Sequence, residues 1–344
     1  MPAESGDPPG LDLGRLAGWL SRAVPEAAAG EITAEVIAGG KSNLTYRLRS
    51  GEWSAVLRRP PLGHVLETAH DMSREYRVMS ALRNTDVPVP NIIALCEDAG
   101  VIGAPFYVMA FVPGVTYRAA ADLNALGAER THRIGQSLLD PLVALHRLEP
   151  AAVGLEGFGR PQGYLARQVR RWNTQLQASH TRDLPLADQL HRLLLDAIPE
   201  SSASGIVHGD YRLDNALFDN GGVVAAVLDW EMATLGDPLA DLALMLVYHR
   251  LSASPASAAI GDAPLADGFP PEAEIIQLYS RGVGNDLPSL GFHLGLASFK
   301  LAGILEGIHF RYLHGQTVGA GFDQVGAAVE PLLDSGIRAV RERV

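Results

Sequence analysis

The sequence predicts an α+β enzyme of two lobes: an antiparallel sheet with one helix, followed by a mainly helical lobe. Three observations predict this. The first third of the chain carries short, β-branched, alternating runs, which is the strand period. The run Val108-Met109-Ala110-Phe111-Val112 then leaves into Pro113-Gly114, a natural hinge. Beyond that point apolar residues recur at helical spacing almost to the C-terminus. The lobes are therefore expected at residues 1–112, for nucleotide binding, and 113–344, for the catalytic loop and substrate site.

Bulk composition narrows the function classes. The chain has 344 residues, with 47% hydrophobic and 19% charged, so it can bury a sizeable core and is not a disordered chain. Its net charge of -11 argues against a nucleic-acid partner, which requires a basic footprint. Ordinary acidic solubility accounts for that charge. The single cysteine, Cys96, excludes an intrachain disulfide, lies in the apolar run IIALC and reads as core. The first residues, MPAESGDPPG, lack the basic-then-apolar order of a signal peptide. No apolar run approaches the roughly 18–20 residues of a membrane span. The expectation is a cytoplasmic protein with no membrane partner.

The elements follow in order. Leu11–Val24 is an amphipathic helix stopped by Pro25. Glu31–Ile37, Asn43–Leu48 and Trp53–Arg58 are strands of an antiparallel meander. The turn Ala38-Gly39-Gly40-Lys41-Ser42 reads either as a plain hairpin or as a loop approaching a phosphate, with Lys41 and Ser42 as donors. Thr68–Arg83 carries Met72, Tyr76, Met79 and Leu82 on one stripe and is a helix, with Glu75 beside the stripe, either solvated or turned inward to pair with a basic residue on the Trp53–Arg58 strand. Ile92–Glu97 and Pro105–Val112 complete a sheet of about five strands. Helices are expected over Thr131–Leu148, Tyr164–Gln177, Leu186–Ala197, Pro238–Arg250, Glu272–Ser280, Leu290–His314 and Phe322–Arg341. Ser252–Gly268 is Ala/Ser/Pro-rich and reads as an exposed loop.

The chemistry concentrates in GIVHGDYRLDNALFD, Gly205–Asp219, and in VVAAVLDWE, Val223–Glu231. A loop Asp, a loop Asn and a strand-end Asp suit phosphoryl transfer, which depends on positioning and metal charge more than on covalent work. Asp210 is the candidate base or orienter for a substrate hydroxyl. Asn215 and Asp229 offer the oxygen ligands that magnesium prefers. His208 reads as a packing residue, and Arg212 and Asp214 as solvent-facing or substrate-side.

HGDYRLDN followed by VLDWE resembles the aminoglycoside phosphotransferase and choline kinase group, which shares the protein-kinase-like fold. The resemblance is strongest to the phosphotransferase-like branch also found fused to acyl-CoA dehydrogenases. It runs through GGKSNLTYRL, VLRRPP, REYRVMSAL, YVMAFVPG, HGDYRLDN and LDWEMATLGDPLADLA, in the family's order. It implies an ATP- and Mg2+-dependent kinase acting on a small-molecule hydroxyl, with GTP left open as the donor. It implies that Asp210 is the catalytic aspartate and that Asn215 and Asp229 are the magnesium ligands. Gly39, Gly40, Lys41, Ser42 and Asn43 match the phosphate-covering loop, Glu75 the helix glutamate, and Ala110 and Val112 the backbone that meets adenine. Asp241 resembles a structural aspartate that steadies the catalytic loop.

One departure is visible. Where most kinase-like enzymes place a lysine on the third strand, this chain reads VLRR. Spacing favours Arg58 as the phosphate grip, while strand parity leaves Arg59 open because the two point to opposite faces. The alternative function is a kinase-like nucleotide-binding or regulatory protein with little transfer. Substrate contacts are sought among Glu231, Glu306, His309, Arg311, Trp172 and Tyr164, whose mixed charges do not select a substrate.

Overall fold

The structure is a computed structural model that describes residues 7–37, 43–63, 71–179, 181–200, 204–317 and 321–342. Its chain divides into two compact units, Met1–Pro113 with Ala225–Glu231, and Gly114–Val224 with Met232–Val344.

The first unit opens with α1 (Leu13–Ala23), whose N-cap Asp12 accepts a hydrogen bond from the Arg15 N–H. Then come β1 (Thr33–Val36), β2 (Leu44–Ser50), β3 (Trp53–Arg59), α2 (Met72–Leu82), β4 (Ile92–Cys96) and β5 (Phe106–Ala110). The sheet order is β1-β2-β3-β5-β4, antiparallel throughout. The meander therefore ends at β3, because β5 pairs with β3 and leaves β4 at the edge.

Strand alternation gives the sheet two different faces. Tyr46, Leu48, Ala55, Leu57 and Val108 join Leu16 and Leu20 of α1 in a buried core, where Trp19 meets Phe106 edge-on at 4.9 Å. The opposite parity at β3 carries Arg58. On α2 the buried positions are Met72, Glu75, Val78, Met79 and Leu82, so Glu75 lies within the buried stripe and Tyr76 only flanks it.

The second unit is helical: α3 (Ala120–Asn124), α4 (Ala128–Ser137), α5 (Leu139–Arg147), α6 (Tyr164–Ser179) and α7 (Pro185–Asp196). The short strands β6 (Gly205–Val207), β7 (Ala216–Phe218) and β9 (Thr234–Gly236) follow, with β6 paired antiparallel to β9, while β8 (Val224–Val227) runs into the Ala225–Glu231 segment of the first unit. Then come α8 (Leu239–Ser252), α9 (Ser257–Ile260), α10 (Glu272–Val283), α11 (Leu290–Leu313) and α12 (Val329–Glu342). The long α11 is central, with α6, α7, α8 and α12 packed on it. No described helix is long and apolar enough to cross a membrane.

Two expectations change here. The helix expected over Thr131–Leu148 is two, parted at Leu138. Pro141 explains the break, since a helical proline lacks the N–H and collides with the carbonyl of the residue four before it, Ser137. The loop expected over Ser252–Gly268 contains α9 and a 3-10 turn at Ala263–Leu265, and it buries Ala256, Ala263 and Ala266.

Candidate functional site

In the second unit, β6 delivers His208-Gly209-Asp210 out of a buried strand, since Ile206 and Val207 are fully covered. The turn that follows is held by Asp241, in the first turn of α8. Its carboxylate accepts hydrogen bonds from the His208 N–H (2.6 Å) and the Gly209 N–H (2.8 Å). It also lies 3.2 Å from His146 Nε2. His146 is anchored in turn through Nδ1 to the Tyr279 hydroxyl at 2.7 Å. Burial by itself pushes the Asp241 carboxyl up, but the His146 contact and the Gly209 N–H outweigh it and hold it below the usual range. Gly209 has φ +86, and a Cβ there would stand 2.6 Å from the Met232 carbonyl oxygen, so the turn admits only glycine.

Asp210 is gathered by three neighbours. Its N–H donates to His208 Nδ1 (3.2 Å), its carboxylate accepts from the Tyr248 hydroxyl (3.1 Å), and Asn215 Nδ2 donates to its Oδ2 (3.2 Å) and to its carbonyl (2.9 Å). His208 is buried, edge-on to Tyr211 at 5.7 Å, while Tyr211 donates to the Leu138 carbonyl at 2.6 Å. Arg212 and Asp214 are neither solvent-facing nor free. They form a forked pair with 2.6 Å between Nη2 and Oδ2. The Arg212 guanidinium also stacks on Tyr248 at 4.2 Å and donates to the Ile260 carbonyl. Arg212 thus orders the tyrosine that touches Asp210.

Lys300 of α11 completes the turn by donating to the Gly209 carbonyl at 2.7 Å. It lines a small cavity with Tyr164, Gln168, Trp172 and His293. The expected substrate residue Glu306 belongs elsewhere. It is buried and accepts from the Thr181 N–H (2.9 Å), the Thr181 hydroxyl (2.7 Å) and Arg182 (3.0 Å), which makes it a structural carboxylate. The His309 ring packs against Gly326, and Arg311 is exposed.

In the first unit, Arg58 Nε lies 3.0 Å from Glu75 Oε2, and its Nη2 pairs with Asp229 and approaches Glu231 at 3.8 Å. Glu75, 1% exposed, also accepts from the Tyr107 hydroxyl (2.9 Å) and from Asn43 Nδ2 (3.1 Å). Asn43 Nδ2 donates as well to Glu231 Oε2 at 3.0 Å. Burial pushes the Glu75 carboxyl up, and Arg58 and Tyr107 work against that push. Arg59 faces the other side of the sheet, with Nη1 on the Ile102 carbonyl (2.9 Å) and on the Gly10 carbonyl. Of the two arginines, Arg58 is thus the one that meets Glu75 and Asp229.

Asp229 sits in this unit because its segment is tied there, the Val227 N–H donating to the Pro88 carbonyl at 2.8 Å. Asp229 has φ +65, the only non-glycine residue with positive φ among those described, a strained conformation that clusters at functional sites. Three carboxylates surround one guanidinium here. Asp229, and in the other unit Asn215, carry oxygen donors of the class that magnesium takes, while among the described residues no group of three or more histidine, cysteine, aspartate or glutamate side chains is arranged to hold a metal ion. Gly39, Gly40, Lys41 and Ser42 lie outside the described residues. Ala110 ends β5, its N–H donating to the Asn91 carbonyl (2.8 Å), and Val112 follows in irregular chain.

Sequence reasoning reached Asp241 by motif but missed His146, Tyr248 and Lys300. Tyr248 and Lys300 sit in helices apolar almost all round, LADLALMLVYHRLS and LGFHLGLASFKLAGILEGIHFRYL. A cation inside such a run was the available signal for Lys300.

An antiparallel sheet carrying an Arg–Glu pair with its helix, and a helical unit presenting an HGD turn, define a protein-kinase-like α+β fold. Residues 33–274 match the profile of the phosphotransferase enzyme family, and the chain belongs to that family. It is 35% identical over 337 residues to acyl-CoA dehydrogenase family member 11 of Gallus gallus, covering 95% of this chain and 43% of that protein. The Homo sapiens protein of the same name is 37% identical over 305 residues, covering 87% and 39%. The chain thus spans less than half the length of these curated relatives. A crystal structure of a candidate aminoglycoside phosphotransferase from Ralstonia eutropha JMP134 superposes with TM-score 0.83 at 34% identity, covering 96% of this chain and 98% of that one. Aminoglycoside phosphotransferase APH(4)-Ia, solved with AMP-PNP and hygromycin B, shares the fold, with TM-score 0.60 at 16% identity over 94% and 98% of the chains.

Proposed function

We propose that this protein is a small-molecule kinase that moves the γ-phosphoryl group of ATP to a hydroxyl, with magnesium. The observation that carries the reading is Asp210, a carboxylate at the mouth of a turn fixed by Asp241, with Tyr248 and Asn215 on its side chain. Such a carboxylate accepts the proton of an acceptor hydroxyl and aligns its oxygen with the γ-phosphorus. The new P–O bond forms as the bond to the β,γ-bridging oxygen breaks, and ADP leaves. Arg58, held by Glu75, grips the α- and β-phosphates as a planar donor where related enzymes use lysine. Gly39, Gly40, Lys41, Ser42 and Asn43 cover the phosphates, and Ala110 and Val112 offer backbone to adenine. Asn215 and Asp229 are the residues that would hold magnesium, which would supply positive charge to the transferring phosphoryl group. Support for nucleotide use comes from similar folds solved with AMP-PNP or with ATP and streptomycin.

The test is a screen of hydroxyl metabolites and aminoglycosides for ADP release, run with two variants. Asp210→Asn is expected to keep Mg-ATP binding and lose transfer by about 100-fold or more. Asp229→Ala is expected to abolish stabilisation by Mg-ATP in thermal unfolding. Transfer at the wild-type rate in the first, or unchanged Mg-ATP stabilisation in the second, overturns the assignment. Binding of Mg-ATP with no acceptor stimulating ADP release would instead favour a nucleotide-binding regulatory protein.

A further inference from the structure

We propose that Lys300 is a positioning residue for Asp210, fixing the Gly209–Asp210 peptide plane from its carbonyl side. The inference rests on the reading of Asp210 above. A peptide unit offers one acceptor and one donor. In this unit the acceptor, the Gly209 carbonyl, takes the Lys300 ammonium at 2.7 Å, and the donor, the Asp210 N–H, goes to His208 Nδ1 at 3.2 Å. The two preceding N–H groups, of His208 and Gly209, are held by Asp241. The backbone that aims the Asp210 side chain is therefore pinned from both sides, and a charge-assisted bond is about twice as strong as a neutral one.

The placement of Lys300 supports a role beyond packing. It stands on α11 among Ala297, Phe299, Leu301 and Ala302, all buried. Its ammonium lies 5.4 Å from the Trp172 ring centroid, a cation–π distance. Among the described residues it forms no ion pair with a carboxylate, and its hydrogen bond goes to the Gly209 carbonyl. Burial pushes its pKa down, while the charges of Asp210 and Asp241 pull it back up. An apolar side chain would fill this position in α11 without that desolvation, so the ammonium is accounted for by the turn it reaches. Gly209 also explains the need, because its positive φ leaves a turn that glycine alone does not stiffen.

The experiment reads the turn directly and does not depend on knowing the acceptor. Amide hydrogen exchange is followed by NMR in the wild type, Lys300→Met and Lys300→Arg, with Lys300→Gln replacing the methionine variant if that one does not fold. Lys300→Met is expected to speed exchange of the Asp210 amide about 10-fold or more, with Leu244–Leu246 of α8 unchanged, and Lys300→Arg to restore most of the protection. Unchanged protection at Asp210, or equal loss at α8, overturns the proposal. A second readout uses hydrolysis of Mg-ATP with water as acceptor. Lys300→Met is expected to lower kcat about 10-fold or more at unchanged KM for ATP, and to add less than about 2-fold on the Asp210→Asn background. Multiplicative losses in the double variant also overturn it. If the wild type does not turn over ATP with water, the acceptor screen still decides the kinase reading and the exchange experiment still decides the role of Lys300.

Discussion

Replacing Asp241 by asparagine isolates what the turn of the HGD segment depends on. The carboxylate accepts two backbone N–H bonds, at 2.6 and 2.8 Å, and faces His146 Nε2 at 3.2 Å, with no exposure to solvent. Asparagine is nearly isosteric but has one oxygen. Oδ2 serves His208 and His146, and Oδ1 serves Gly209, so whichever way the amide turns, an NH2 group confronts a backbone N–H. A buried donor left without an acceptor costs about 1–3 kcal/mol, and the surviving bonds lose the charge assistance that makes them roughly twice as strong. Together these give a loss of about 3–5 kcal/mol, a large share of the roughly 5–15 kcal/mol by which a domain is stable. Urea unfolding at neutral pH measures it as a lower midpoint at constant slope. A loss under about 1 kcal/mol would refute the view that this carboxylate, rather than the packing of α8, sets the turn. The same variant is expected to lower phosphoryl transfer while leaving Mg-ATP binding in place, because Asp241 holds the backbone before Asp210 and His146, and neither contact is to a group assigned to the nucleotide.

Two further outcomes follow from buried charges. His249 lies edge-on to Phe269 at 5.2 Å, and burial lowers its pKa from 6.5 to about 4, partly opposed by Glu272. The folded value is below the unfolded one, so the unfolded chain binds more protons between them and stability falls as pH drops through that window. The wild type should lose about 2 kcal/mol from this group between about pH 7 and pH 5, and His249→Gln should flatten that slope in urea titrations; parallel curves would exclude burial as the cause. Arg58→Met strands Glu75, 1% exposed, with only Tyr107 and Asn43 as partners. It should cost about 3–5 kcal/mol, with Glu75→Gln recovering part of it in the double variant, and strict additivity in a double-mutant cycle would contradict their coupling.

Much of this fold is legible in the sequence because periodicity records burial. The alternation of Tyr46 and Leu48, or of Ala55 and Leu57, marks which face meets α1. The HGD turn is legible because glycine, aspartate and asparagine there leave few other uses. The parting at Leu138 was missed, although Pro141 carries the reason for it, because the apolar spacing runs on unbroken across it. What escaped were residues whose role is set by distant chain. Lys300 meets a turn 91 residues earlier, and His146 meets Asp241 across 95. Local spacing carries no record of such pairs. Glu306 misled in the opposite sense, because a carboxylate in a helix near the C-terminus looks available until Thr181 and Arg182 are seen to occupy it.

The first unit is built from two separate stretches of chain, and the later one brings Asp229 and Glu231. A growing polypeptide that has reached Pro113 holds Arg58 and Glu75 but not those carboxylates. They arrive only after Gly114–Val224 of the other unit has been made, so this unit is completed during synthesis only once that stretch has been added. The same stitching restricts recombination. A gene segment cut after Pro113 and exchanged for that of a relative leaves the Ala225–Glu231 segment behind, so each new pairing must match a foreign Arg58 to a resident Asp229.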